Sequence, residues 1–138
     1  MAKVRDIMQK NVITIENLKK AHDAAIILKE REISFLVVVK EGKPIGIVSE
    51  RDIVRKIVAD NNDAQTTQLE TIMSKNFKWV EPNASIESAV QKMLNNNIRR
   101  LVVLENENLA GVITQTDLTE FLRSKILINA TVKNIETD

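Results

Sequence analysis

The chain contains one sequence pattern twice, at a constant separation of 65 residues. The clearest instance is a glycine, two apolar residues and a hydroxyl residue, with an aspartate three positions later, at residues 46–52 and again at 111–117. Ungapped self-similarity at a fixed period is the signature of a structural repeat. Since a unit of about 60 residues buries little apolar surface alone, the two copies are expected to pack against each other around a pseudo-twofold axis.

Each copy has the order strand, helix, strand, strand, helix. Short β-branched apolar runs predict the strands, and apolar residues at a 3.6-residue spacing predict the helices. The expected fold class is therefore α/β in the broad sense (α+β), with two β-α-β-β-α repeats. The predicted elements of the first copy are a strand at 12–15, a helix at 18–30, strands at 33–39 and 44–48 joined by a hairpin turn, and a helix at 49–59.

The repeat also predicts the domain boundaries. The first copy spans residues 4–60 and the second spans 69–125, with a polar linker at 61–68 between them. Residues 126–138 lie outside the repeat and are too apolar for a free tail, which suggests that they pack on a partner chain. The apolar residues of this tail are Ile126, Leu127, Ile128, Val132 and Ile135.

Composition excludes several classes of function. The absence of cysteine removes disulfides, thiol catalysis and cysteine-ligated metals. His22 is the one histidine and has no nucleophile beside it in the sequence, and the three glycines are not clustered into a phosphate-binding loop. These observations argue against an enzyme. A net charge of +1 gives no long-range attraction to nucleic acid, and the N-terminus and the apolar runs match neither a signal peptide nor a membrane span, so we expect a cytoplasmic protein.

Taken in order, the repeated motifs resemble a known family. Each copy opens with an Ile-Met pair (residues 7–8 and 72–73), continues with an Ile-x-x-Leu-Val-Val run (33–38 and 98–103) and ends on the glycine-to-aspartate motif. The set resembles a tandem pair of cystathionine β-synthase (CBS) domains, also called a Bateman module, over about residues 4–125. The resemblance implies two clefts that bind adenosyl compounds, no catalysis, no required cofactor and a homodimer.

In the first cleft, the resemblance implies that Asp52 accepts hydrogen bonds from ribose hydroxyls and that Ser49 lies near the sugar-phosphate. The second copy would supply Arg99 and Arg100 to the phosphates, since arginine binds such oxygens bidentately. The residues expected to flank the base are Lys78, Trp79 and Val80.

The same residues also have purely structural interpretations. Ser49 and Asp52 fit a capping box, in which a hydroxyl and an acid satisfy the first amides of a helix. The two arginines fit a solvated surface, and Trp79 fits core packing. The basic residues of the next helix fit a solvated face, with Arg51 or Arg55 as the alternative phosphate contact; they are Arg51, Arg55 and Lys56.

The second cleft would place Thr114 and Asp117 opposite residues of the first copy, namely Ile13, Thr14, Ser34 and Phe35. It has Ser34-Phe35 where the first cleft has two arginines, so its phosphate end is less basic. We therefore expect this cleft to bind more weakly or to prefer a ligand without phosphates.

The function predicted from the sequence is a stand-alone regulatory module that binds AMP, ADP or ATP and signals ligand state in trans to a partner such as an enzyme or a transporter. One alternative is a structural or oligomerisation unit whose clefts bind nothing. The others are S-adenosylmethionine binding and nucleic-acid binding; the near-neutral charge argues against nucleic acid, although a dimer could gather cations on one face.

Overall fold

The first copy of the repeat forms a three-stranded sheet with the order β1-β2-β3. Strand β1 (Thr14–Glu16) is parallel to β2 (Phe35–Lys40), and β2 is antiparallel to β3 (Lys43–Ser49). The hairpin turn between β2 and β3 has positive φ at Glu41 and Gly42, as a tight two-residue turn requires. This structure is a computed structural model that describes residues 1–137 and the side chains of residues 1–131.

The second copy forms an equivalent sheet with the order β4-β5-β6. Strand β4 (Trp79–Val80) is parallel to β5 (Arg100–Glu105), which is followed by β6 (Asn108–Thr114). Two three-stranded sheets with flanking helices confirm the predicted α+β class.

The helices connect and extend the two sheets. A one-turn helix opens each copy, a longer helix joins the first and second strand of each copy, and a further helix follows the last strand. The helices are α1 (Val4–Ile7), α2 (Ala21–Arg31), α3 (Glu50–Asp52), which continues as a π-helical segment (Ile53–Val58), α4 (Leu69–Ile72), α5 (Ile86–Asn96) and α6 (Gln115–Thr137). No helix among the described residues is long and apolar enough to cross a membrane.

The chain divides into two compact units that do not coincide with the two sequence copies. The N-repeat unit contains residues 11–78 together with 106–109, and the C-repeat unit contains residues 1–10, 79–105 and 110–138. Each unit therefore contains the Ile-Met segment of the other sequence copy. Residues 1–10 belong with the second sheet, and residues 69–78 belong with the first.

Close backbone approaches fix these exchanged segments in place. Gln9 and Val112 form an antiparallel bridge in the C-repeat unit, and Ser74 and Ile47 form the matching bridge in the N-repeat unit. The neighbouring glycines permit the approach. A Cβ on Gly111 would lie 2.6 Å from the Gln9 carbonyl oxygen, and a Cβ on Gly46 would lie 2.6 Å from the Met73 sulfur.

Each unit has its own apolar core. In the N-repeat unit, Leu36, Val48 and Leu69 are fully buried together, and in the C-repeat unit Val4 and Leu101 are fully buried. Among the described side chains, none of the buried ones is polar or charged. The cores therefore hold the sheets and helices together by apolar packing, and the polar side chains lie at the surface of each unit.

The structure corrects the predicted start of the first long helix. The helix begins at Ala21, with Lys20 as its N-cap, and Leu18 is 83% exposed instead of part of the apolar face. The linker supplies the physical reason. The Thr67 and Ala64 carbonyls accept hydrogen bonds from the amides of Ala21 and His22, so the polar linker caps the helix and sets where it begins.

The predicted tail continues the last helix. Helix α6 runs to Thr137, and its described apolar side chains beyond the repeat, Ile126, Leu127 and Ile128, are all exposed. The side chains of Val132 and Ile135 lie outside the described residues. Packing of this segment on a partner chain stays a prediction.

Candidate ligand-binding site

A hydroxyl residue and an aspartate close the end of each sheet in the same way. In the N-repeat unit the Ser49 amide donates to Asp52 Oδ2 at 2.8 Å, the Asp52 amide donates to Ser49 Oγ at 3.2 Å, and Ser49 Oγ donates to Asp52 Oδ2 at 3.1 Å. This is a complete capping box. Ser49 and Asp52 therefore do cap this helix, as their structural interpretation predicts.

The C-repeat unit repeats this geometry. The Thr114 amide donates to Asp117 Oδ2 at 2.8 Å, the Asp117 amide donates to Thr114 Oγ1 at 3.2 Å, and Thr114 Oγ1 donates to Asp117 Oδ2 at 2.9 Å. We call the pairs Ser49–Asp52 and Thr114–Asp117 the two acid corners. In both, the cap uses Oδ2 and leaves Oδ1 to other partners.

The partners of Oδ1 differ between the corners. Lys56 Nζ lies 3.1 Å from Asp52 Oδ1 and also donates to the Ile72 carbonyl oxygen at 2.7 Å. At the other corner, Gln9 Nε2 donates to Asp117 Oδ1 at 3.1 Å and lies 3.3 Å from Oδ2. An ammonium therefore faces the first carboxylate and a neutral amide faces the second.

In the N-repeat unit, the predicted site residues of the first copy gather at one end of the sheet. Phe35 pairs with Ser49, and the Glu50 amide donates to the Ser34 carbonyl oxygen at 2.9 Å. Ile13 and Thr14 lie at the start of the parallel strand β1, where the Ile13 carbonyl accepts from the next strand. This sheet end therefore combines a strand start, a hydroxyl residue and a carboxylate.

The C-repeat unit gathers its own predicted residues in the same manner. The Gln115 amide donates to the Arg99 carbonyl oxygen at 2.8 Å, which places Arg99 and Arg100, at the start of β5, next to Thr114 at the end of β6. Arg99 is exposed and Arg100 is half-buried. Arginine is the side chain that binds phosphate oxygens bidentately, and two arginines lie in sequence at this sheet end.

Trp79 does not fill the core of its unit. Its side chain is 43% exposed, and the Lys92 ammonium lies 5.6 Å from the centroid of its ring. Lys92 Nζ also donates to the Trp79 carbonyl oxygen at 2.5 Å. Val80, by contrast, is buried, and Lys78 is exposed at the end of the N-repeat unit. One face of the indole is therefore paired with a cation, an arrangement worth about 0.5–1 kcal/mol at an exposed position.

The predicted combinations across the two copies stay predictions. Asp52 and Lys78 belong to the N-repeat unit, whereas Arg99 and Arg100 belong to the C-repeat unit. Asp117 is likewise in a different unit from Ser34 and the other first-copy residues assigned to its cleft. The structure brings together the members of each unit.

Sequence reasoning missed the two partners of Oδ1. Lys56 follows Asp52 by four residues on a helix, a spacing at which opposite charges meet, so the pattern could have indicated the pair. Gln9 precedes Asp117 by 108 residues, and no sequence pattern connects them. Gln9 reaches the second corner because it forms an antiparallel bridge with Val112 of β6.

The C-repeat unit also contains an open groove of about 430 Å³ between α5 and α6. Its lining is mostly apolar and includes two exposed leucines, Leu94 and Leu122, with Arg99 and Gln115 at one end. The groove therefore lies on the helical side of the unit, and one end of it reaches Arg99, just before β5.

Two copies of one β-α-β-β-α unit, each closed by a hydroxyl–aspartate corner, define the class of tandem regulatory repeats that the sequence resembles. The CBS-domain family profile matches residues 4–59 and 69–124, which together make up most of the chain. The chain belongs to the CBS-domain family.

Relatives of known sequence or structure agree with this assignment. CBS domain-containing protein YhcV of Bacillus subtilis is 33% identical over 118 residues, which cover 86% of this chain and 84% of that protein. A solved putative signal-transduction protein with CBS domains from Burkholderia ambifaria superimposes with a TM-score of 0.81 at 29% identity and covers 88% of this chain and 93% of its own.

One solved neighbour carries adenosyl ligands. The CBS domain pair of protein MJ0100, in complex with 5′-methylthioadenosine and S-adenosyl-L-methionine, has a TM-score of 0.81 at 28% identity. The match covers 91% of this chain and 98% of that domain pair. The chain is thus similar over nearly its whole length to a module that binds adenosyl compounds.

Proposed function

We propose that the chain is a regulatory CBS pair that binds adenine nucleotides at its acid corners and reports their presence to a partner. The supporting observation is that the two carboxylate oxygens of each aspartate have different roles. A helix cap needs one carboxylate oxygen, and Oδ2 supplies it in both corners. Oδ1 is the acceptor that a ribose hydroxyl would use, and it lies at the sheet end with the other predicted residues.

Cations near the sheet ends support a phosphorylated ligand. Arg100 is the first residue of β5 and Arg99 precedes it, and Lys56 lies at the Asp52 carboxylate. The overall charge of +1 makes these groups local features rather than part of a broadly basic surface. AMP, ADP and ATP carry both the ribose hydroxyls that a carboxylate oxygen can accept from and the phosphates that these cations can bind. The module needs no cofactor and performs no catalysis in this proposal.

A panel of thermal-unfolding measurements tests the proposal. The ligands are AMP, ADP, ATP, S-adenosylmethionine and GTP, each at about a hundredfold excess over its dissociation constant, where specific binding adds about 2.7 kcal/mol to the free energy of unfolding. For a chain of this length we expect the adenine nucleotides to raise Tm by roughly 10 °C. Asp52→Asn should weaken binding by about ten- to a hundredfold, because it removes a charge-assisted hydrogen bond.

Asp23→Asn is the matched control. Asp23 caps α2 by accepting from the Lys20 amide at 2.9 Å, so it has the capping role of Asp52 at a position away from either corner. Its replacement should lower the unliganded Tm and leave the nucleotide-induced increment intact. If no ligand shifts the wild-type protein, the corners are caps alone and the structural alternative replaces the proposal. A shift with S-adenosylmethionine alone would assign the other ligand class.

The proposal includes a homodimer. Helical segments of both units expose apolar side chains, among them Val58 in the N-repeat unit and Leu94 and Leu122 along the groove of the C-repeat unit. Burying these groups against a second copy would remove them from water. Sedimentation velocity should give the mass of a dimer, and a monomer at micromolar concentration would contradict this part of the proposal.

A further inference from the structure

The two acid corners have the same cap, but the group that lies at Oδ1 is a cation in one corner and neutral in the other. Lys56 Nζ is 3.1 Å from Asp52 Oδ1. The repeat places Phe121 at the equivalent position of the second copy, so that copy has no lysine at this position, and the neutral Gln9 amide lies at Asp117 Oδ1. The difference is therefore built into the sequences of the two copies.

Lys56 is held in position by two acceptors. Its ammonium donates to the Ile72 carbonyl oxygen at 2.7 Å, which is the last carbonyl of α4 and has no partner within that helix. The Asp52 side chain is 13% exposed and the Lys56 side chain is 43% exposed, so the pair lies at the boundary of solvent. A lysine with two fixed acceptors is more ordered than a solvated surface lysine.

The helix that carries Lys56 also departs from regular geometry. Ile53–Val58 forms a π-helical turn, and the Ala59 amide donates to the Val54 carbonyl oxygen at 2.8 Å. The equivalent part of the second copy is an ordinary stretch of α6. Single π-helical turns occur frequently at functional sites. The first copy therefore combines an altered helix with the cation that this helix presents.

These contacts make Lys56 a competitor for the ligand acceptor. A ribose hydroxyl that binds Asp52 Oδ1 must displace the ammonium, which then loses its anionic partner. A nucleoside offers no replacement, whereas a nucleotide carries a phosphate that the flexible four-carbon stem of lysine can reach. We propose that Lys56 is a specificity-determining residue, which makes the Asp52 corner select phosphorylated over unphosphorylated ligands. This inference rests on the proposed function.

Nuclear magnetic resonance titrations of the full chain with AMP and with adenosine test the inference. The amide signals of Ser49 and Asp52 report the first corner alone, so binding at the second corner does not enter the fitted dissociation constants. In Lys56→Met we expect adenosine to bind more tightly and AMP more weakly. The ratio of the adenosine to the AMP dissociation constant should fall by about fivefold or more.

Two further variants separate charge from structure. Lys56→Arg keeps a cation at the corner and should keep most of the wild-type ratio. Lys40→Met removes an exposed cation of the same unit, at the hairpin end of β2 away from Ser49, and should leave the ratio unchanged. Thermal unfolding of Lys56→Met checks that the loss of the Ile72 contact has not unfolded the protein.

The outcomes distinguish the two proposals. If the wild-type protein binds AMP and Lys56→Met has the wild-type ratio, the inference is overturned and the proposed function stands. If Lys40→Met lowers the ratio as much as Lys56→Met, the effect belongs to general charge and the inference is again overturned. If neither ligand binds the wild-type protein or Lys56→Met, the proposed function and the inference fail together.

Discussion

Asp52 and Asp117 show how one side chain can satisfy two demands. Oδ2 caps a helix in each case, and Oδ1 faces a second group supplied from elsewhere in the unit. The sequence predicts both the capping box and the ligand contact, because the hydroxyl-x-x-acid spacing serves either. The group at the second oxygen is a different matter: Lys56 has the helical spacing at which opposite charges meet, whereas Gln9 reaches Asp117 only through folding.

Gly46 and Gly111 provide a residue-level test of the exchanged Ile-Met segments. Alanine at either position should destabilise the protein by about 1–3 kcal/mol, the usual range for overpacking. We expect Gly111→Ala to be the worse of the two, because its Cβ would lie 2.6 Å from the backbone oxygen of Gln9. The obstacle at Gly46 is the flexible side chain of Met73. Urea denaturation would measure the difference.

Second-site variants sharpen this test. In a Met73→Ala background, Gly46→Ala should cost less stability than it does in the wild-type protein, because the clashing sulfur is gone. In a Met8→Ala background, Gly111→Ala should cost as much as before, since the Gln9 carbonyl remains. An equal reduction in cost for both glycine variants, or for neither, would contradict the placement of the two segments.

At the scale of elements, helices α2 and α5 end in the same left-handed conformation but with different residues. Glu32 has φ of 54° after α2, and Asn97 has φ of 51° after α5. Asparagine tolerates this conformation better than glutamate. We therefore expect Glu32→Asn to raise Tm by about 2–4 °C, corresponding to roughly 0.5–1 kcal/mol, in a thermal melt followed by circular dichroism.

The reciprocal change is the control for this prediction. Asn97→Glu should lower Tm by a similar amount, because the repeat places it at the equivalent helix end. If Glu32→Asn lowers Tm, or if both substitutions leave it unchanged, the shared left-handed cap is not what ends these helices in solution.

The sequence predicts element type well and some boundaries poorly. Periodicity and the hairpin turn place the strands, because they depend on local residues. The start of α2 differs because the Thr67 and Ala64 carbonyls, far along the chain, cap it. The π-helical turn at Ile53–Val58 and the continuation of α6 to Thr137 also have no local signal strong enough to predict them.

At the scale of the whole molecule, the repeat in the sequence and the units of the fold have different boundaries. The family profile matches residues 4–59 and 69–124, whereas residues 1–10 pack with the second sheet and residues 69–78 with the first. Val4 is fully buried in the C-repeat core. A constant shift between copies reveals that there are two units, but not which copy of the exchanged segment each unit takes.

For the candidate site too, the sequence reveals some residues and only the fold reveals others. The sequence identifies Ser49, Asp52, Thr114 and Asp117, because the repeated motif marks them directly. It does not identify Lys56 and Gln9, whose importance lies in distances to carboxylate oxygens. The family resemblance supplies the ligand class, and the contacts within each unit supply the asymmetry between corners.

A crystal structure of the protein soaked with AMP tests the central claim most directly, namely that the acid corners bind a nucleotide. We predict a ribose hydroxyl at about 2.6–3.0 Å from Asp52 Oδ1, with Lys56 Nζ moved from that oxygen toward the phosphate. Bound AMP whose ribose contacts neither Asp52 nor Asp117, or a ribose at Asp52 with Lys56 still holding Oδ1, would contradict the account.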